Sequence, residues 1–94
     1  MSIRARAVAE GLDEVTSTFA AWYRDLATVA VGAEGAVFNY DFLYELRDQA
    51  FIGSVHRYLD VVEAVKRTRD RFRYNVDVRC ALEEMIFSMR EALQ

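Results

Sequence analysis

Proline is absent from this 94-residue chain, which holds one cysteine, one histidine and four glycines. At average usage about five prolines would be expected. Their absence leaves helices free to run long without interruption. A single Cys80 excludes an internal disulfide, and one cysteine with one histidine cannot supply the usual four ligands of a structural zinc site. No cofactor or metal is expected, and a reducing, cytoplasmic setting suits the thiol. The basic opening around Arg4 and Arg6 is followed by no sustained apolar run, so neither a signal peptide nor a membrane span is expected. A net charge of -3 argues against a dedicated nucleic-acid binder that works by neutralising phosphates.

Catalytic signatures are missing as well. There is no glycine-rich phosphate loop ending in Lys and Ser or Thr, no nucleophile elbow and no His-Glu-x-x-His pair. Gly32-Ala33-Glu34-Gly35 is the only close glycine pair, and it suits a helix stop with a surface loop. His56 and Cys80 each point away from the apolar stripe of their own helix, which gives no basis for a nucleophilic dyad. Adjacent carboxylates such as Asp13-Glu14 and Glu83-Glu84 diverge on a helix. Asp60 and Glu63 share a face, but Arg67 follows Glu63 by four residues, as in an exposed ion-pair ladder. No catalytic site and no small-molecule substrate are expected.

Hydrophobic residues make up 53% of the chain, enough for one domain spanning residues 1–94 without metal or disulfide staples. Val8, Leu12, Val15, Phe19, Trp22, Leu26 and Val29 recur at spacings of four and three and predict one long helix from Ile3 to Val31. Gly11 lies within it, as a place for a kink or fraying. At about 1.5 Å per residue such a helix spans roughly 44 Å, so one end should overhang a domain this small. Gly32 suits the left-handed position that ends it. Asn39 or Asp41 is placed to cap a short helix with Phe42 or Leu43, Leu46 and Ala50 inward. A third helix follows from Val55 to about Arg73, with Val55, Tyr58, Val62, Val65 and Phe72 inward. Asp77 then caps a last helix carrying Val78, Leu82, Met85, Met89 and Leu93. No sustained alternation marks a strand, so the expected fold is all-α: a compact bundle of about four to five helices with a long first helix.

Two side chains stand out as candidates for contact. Lys66, Arg67, Arg69, Arg71 and Arg73 crowd the end of the third helix, where cations suit the helix dipole. Arg69 alone lies within the apolar stripe and should snorkel or pair with a carboxylate, with Asp25 and Glu84 as candidates. Phe87 points roughly 140° from Leu82, on the polar side of the last helix. A further helix of the same domain or a partner would cover it.

Trp22-Tyr23-Arg24-Asp25-Leu26 and Tyr74-Asn75-Val76-Asp77-Val78-Arg79-Cys80-Ala81-Leu82-Glu83 together resemble the C-terminal collar domain of bacterial DNA polymerase III clamp-loader subunits, most closely the delta-prime type. In that family an aromatic-Arg-Asp-Leu segment closes the first long helix, and an Asn-Val-Asn-Pro-Arg-Leu-like segment opens the last. Arg24 and Asp25 match the first motif; Asn75, Val76, Arg79 and Leu82 match the second. Asp77, Val78 and Cys80 depart from the usual Asn, Pro and Leu. The resemblance covers about Val15 to Ala92. It implies a non-catalytic oligomerisation domain, supporting sliding-clamp loading in DNA replication, whose partners are the other clamp-loader subunits in a hetero-oligomeric ring. It also implies an ATPase module ahead of residue 1, and no direct contact of this domain with nucleic acid or membrane. Asp25 is expected to tie the first helix to the last through Arg79 or the backbone at Asn75, and Phe87 with the basic end of the third helix to face neighbouring subunits. The competing expectations are a stand-alone helical adaptor or regulator that dimerises through its long first helix, and a helical DNA-binding domain, for which the acidic last helix is poorly suited.

Overall fold

A computed structural model describes residues 3–51, 54–73 and 77–94 of the chain, and these residues form an all-helical domain with no strand among them. Helix α1 runs from Ile3 to Ala30, α2 from Leu43 to Gln49, α3 from Val55 to Arg73 and α4 from Val78 to Leu93. Two single turns of 3-10 helix, Glu34–Ala36 and Tyr40–Phe42, lie between α1 and α2. Helix α1 continues through Gly11 without a break, because Gly11 costs only about 1 kcal/mol against alanine in a helix of 28 residues.

Local chemistry sets the helix ends. Gly32 adopts φ 84, the only positive φ among the described glycines. Its N–H donates to the Val29 carbonyl at 2.9 Å and the Ala33 N–H donates to the Thr28 carbonyl at 3.0 Å, the paired bonds of a Schellman stop. Asp77 caps α4, accepting from the Arg79 N–H at 2.9 Å and the Cys80 N–H at 3.3 Å. The cap expected at Asn39 or Asp41 is not formed, since neither the 3-10 turn nor α2 has a side-chain cap. Asn39 uses its amide elsewhere.

Helix α3 is the centre. It packs against α1 on one side and α4 on the other, which is why Tyr58, Val61, Val62, Ala64, Val65 and Thr68 are all buried, a wider arc than one stripe. Ala20 meets Val61, Val65 and Met85 in one cluster, with Leu82 and Met89 packed around it. Leu46 brings α2 onto Leu26, Ala27, Ala30 and Tyr58 in the other. Of the residues expected inward on α4, Leu93 is exposed, and Ala81, which lies one turn before Met85, is buried instead.

The larger correction concerns α1. Its buried face is Thr16, Ala20, Leu26, Ala27 and Ala30, while Val8, Val15 and Phe19 of the expected stripe are exposed. The stripe splits along the helix: Leu26 is buried beside Tyr58 and Leu46 with Trp22 and Val29 packed against it, whereas at the level of Ala20 the small face, rotated about 90° from the stripe, takes the contact with α3. Among the described side chains from Ile3 to Val15, every one but Leu12 is exposed. The expected overhang is present.

The molecule measures 44 × 27 × 16 Å, with a radius of gyration of 14.5 Å, against about 12 Å for a compact domain of this length. Three helices side by side at about 9 Å spacing account for the width. With α3 in the middle row, α1 packs on α3 and, in its C-terminal half, also on α2.

Candidate assembly surface

Asp25 is fully buried. Its position on α1 faces away from the alanine face and toward the segment after the Schellman stop. Oδ1 accepts from the Phe38 N–H at 2.9 Å, and Oδ2 accepts from the Asn39 N–H at 2.8 Å and the Asn39 side-chain amide at 2.7 Å. A buried carboxylate with three donors has its desolvation offset. The bond expected to Arg79 is therefore not what holds Asp25: Arg79 is exposed and pairs with Glu83 at 3.2 Å, one turn along α4. Asn75 and Val76 lie outside the described residues. Leu82 is half-buried in the cluster between α3 and α4.

Arg24, next to Asp25, points outward and places its guanidinium 4.6 Å from the centre of the Phe38 ring. The two motif neighbours thus grip one loop from both sides, Asp25 by its backbone and Arg24 by its aromatic. Trp22 stacks edge-on against Phe42, with ring centroids 6.1 Å apart, and donates from Nε1 to the Gln49 side chain at 3.2 Å. Tyr58 donates its hydroxyl to the Gln49 carbonyl at 3.0 Å. Segment 37–51 is held onto the C-terminal half of α1 by these contacts.

Arg69 does pair with a carboxylate, but with Asp13 of α1, its Nη2 at 2.6 Å from Oδ1. Neither expected partner is used: Asp25 serves the loop, and Glu84 pairs with Arg71. The Arg69 Nε is buried without a hydrogen-bond partner. Glu63 pairs with Lys66 at 3.7 Å rather than with Arg67, which lines the groove between α3 and α4 beside Ser88. His56 and Cys80 are exposed on different helices. Among the described residues no three His, Cys, Asp or Glu side chains come together as a metal site, and no described helix is long and apolar enough to cross a membrane.

Glu34 and Tyr23 are both shifted from their ordinary ranges. The Arg47 side chain holds the Glu34 carboxyl below the usual glutamate range through paired hydrogen bonds of 2.9 and 2.6 Å. Burial, followed by the nearby Tyr58, pushes the Tyr23 phenol up.

The exposed apolar residues are the principal feature. Phe87 is 63% exposed and Ile86 lies beside it on α4. Phe38, Tyr40, Phe42, Tyr44 and Phe51 are exposed on the segment that covers α1. On α1 itself, Val8, Leu12, Val15, Phe19, Trp22, Leu26 and Val29 keep the 3.5-residue period of a coiled-coil seam. The C-terminal half of that seam is covered by Phe42 and Leu46; the N-terminal half is open around a concavity lined by Glu14, Val15, Thr18 and Phe19. The spacing places Phe42 or Leu43 inward, and of the two Leu43 is half-buried and Phe42 exposed; it gives no role to Phe38, Tyr40, Tyr44 and Phe51. Five aromatics within fourteen residues, beside a helix too short to bury them, was the available signal. Comparison with protein-family models, with curated proteins and with solved structures gave no match.

Proposed function

We propose that this chain is a non-catalytic assembly domain of a multisubunit complex, and that the complex is the bacterial DNA polymerase III clamp loader, in which it serves as a delta-prime-like collar domain supporting sliding-clamp loading. One observation carries the assembly reading. The accessible surface is 6755 Å², against roughly 5,500 Å² for a compact monomer of this mass. The excess of roughly 1,200 Å² exceeds the roughly 800 Å² that one partner contributes to a standard interface. Exposed aromatics make up part of it, and side chains of that kind are enriched where proteins bury each other.

The clamp loader is named by the two motifs. Arg24 and Asp25 both serve the loop after α1, so the first motif works as a corner of the fold, which suits a domain whose task is shape. In this reading the other collar domains cover Phe87 and the basic end of α3, the domain contacts no nucleic acid, and the complex is cytoplasmic. Coexpression with clamp-loader subunits from the same source tests it. Stable copurification, lost in a Phe87→Ser variant that still folds, is expected; a chain that elutes alone rules the clamp loader out.

A second reading is favoured by the open half of the α1 seam: a stand-alone adaptor that dimerises there. The exposed parts of Val8, Val15 and Phe19 amount to roughly 250 Å² per copy, well below the standard share, so such a dimer is weak. Light scattering across concentration, with Phe19→Ser as the disrupting variant, separates the two.

A further inference from the structure

The continuous helical run from Tyr40 to Gln49 sorts its residues by direction. At about 100° per residue, Leu46, Phe42 and Gln49 face α1 and α3, whereas Tyr40, Asp41, Tyr44, Glu45 and Asp48 share one outward sector. All five are exposed, Tyr40 at 71% and Tyr44 at 78%. Phe38, two residues before this run, is 67% exposed although Arg24 lies over it. Segment 34–51 holds four carboxylates and one cation, Arg47, and that cation is engaged by Glu34. Asp41, Glu45 and Asp48 make no ion pair among the described residues.

A face that alternates tyrosines with unneutralised carboxylates repels phosphate and anionic lipid. It suits a planar cation that stacks on rings and bonds to carboxylates, which is the guanidinium. The surface already holds two of its own in these ways. Arg24 lies 4.6 Å from the Phe38 ring centre, and Arg47 forms two hydrogen bonds to Glu34.

We propose that the sector of Tyr40, Asp41, Tyr44, Glu45 and Asp48, together with Phe38, is the docking surface for an arginine-bearing segment of a partner protein. Arginines of that segment lie over the two tyrosines and bond to the three carboxylates, and its apolar residues rest on Phe38. The inference builds on the assembly reading and adds the chemistry of the partner.

The test uses the full chain and a blocked helical peptide of arginine and leucine, titrated by calorimetry at low salt. Versions with lysine or glutamate in place of arginine serve as comparisons. Binding is expected for the arginine peptide, about tenfold weaker for lysine and lost for glutamate. The double variant Tyr44→Ala with Asp48→Asn should weaken it at least about tenfold, whereas Glu10→Gln, which removes one carboxylate from the far half of α1, should leave it unchanged. Equal losses from both variants would reduce the effect to net charge and overturn the proposal, as would an arginine peptide that does not bind. Copurification separates this from the clamp-loader reading. If the subunits copurify but the arginine peptide does not bind, that reading stands and this surface is overturned; if the peptide binds but no clamp-loader subunit copurifies, the surface stands alone.

Discussion

Asp25 and Asn39, fourteen residues apart, are joined by two hydrogen bonds to one carboxylate oxygen, from the Asn39 backbone at 2.8 Å and its side chain at 2.7 Å. The other oxygen takes the Phe38 N–H. A loop that lacks regular structure thereby gains fixed partners for two of its backbone donors. The aromatic segment beyond it is oriented as a result.

Removing that carboxylate should cost far more than its surface neighbours suggest. Asp25→Ala is expected to destabilise the domain by about 3 kcal/mol, and Asp25→Asn by about 2 kcal/mol, since an amide brings a donor to a site that needs only acceptors. Urea unfolding measures both, and limited proteolysis should open the segment 36–42 first. A loss below about 0.5 kcal/mol for the alanine variant would show that the loop is held by something else.

Phe19 and Ala20 should respond in the opposite order to their size. Ala20→Leu forces a larger side chain between Val61, Val65 and Met85 and should cost about 2 kcal/mol. Phe19→Ser, on the open face, should change monomer stability by no more than about 0.5 kcal/mol. Thermal unfolding of the two variants at low concentration gives the comparison. A reversed order would mean that α1 sits on α3 by its bulkier stripe after all.

The Glu34 and Arg47 pair predicts an acid-side effect. Because Arg47 depresses the Glu34 carboxyl in the folded state, its contribution is present above the ordinary glutamate range and is lost as pH falls through the depressed value. Wild type and Glu34→Gln should therefore differ in urea midpoint near neutrality and converge in acid. Both groups are exposed, so high salt should shrink the neutral difference. A difference that persists unchanged in acid would refute this.

Tyr23 predicts the mirror case. Its folded-state phenol is raised, mainly by burial, so its contribution is complete below the ordinary tyrosine range and is lost as pH rises through the raised value. Stability measured from neutrality to about pH 11 should fall more for wild type than for Tyr23→Phe. Ultraviolet titration should show one late-ionising phenol that the variant lacks. Identical alkaline profiles would remove Tyr23 from the account.

Several elements are legible in the sequence alone. Gly32 and Asp77 act within a turn of themselves, so local backbone chemistry alone placed the end of α1 and the start of α4. The 3.5 to 3.6 residue spacing placed α1 and α3 for the same reason. The surface was harder. Phe87 was identified as outward from its angle on α4, but the aromatics from Phe38 to Phe51 were not, because an aromatic cluster looks the same whether a core or a partner covers it.

What the sequence by itself determined is which residues share a helix and where each helix stops, since those depend on neighbours along the chain. Which side of α1 meets α3, and what the Asp25 carboxylate binds, were decided only by tertiary structure. Periodicity groups side chains onto faces but does not choose the face that a neighbouring helix takes. Packing buried Thr16, Ala20, Ala27 and Ala30 and left Val8, Val15 and Phe19 of the bulkier stripe exposed, while Leu26 of that stripe stayed in the core. That choice turned Asp25 toward Phe38 and Asn39, and left Arg79 to Glu83.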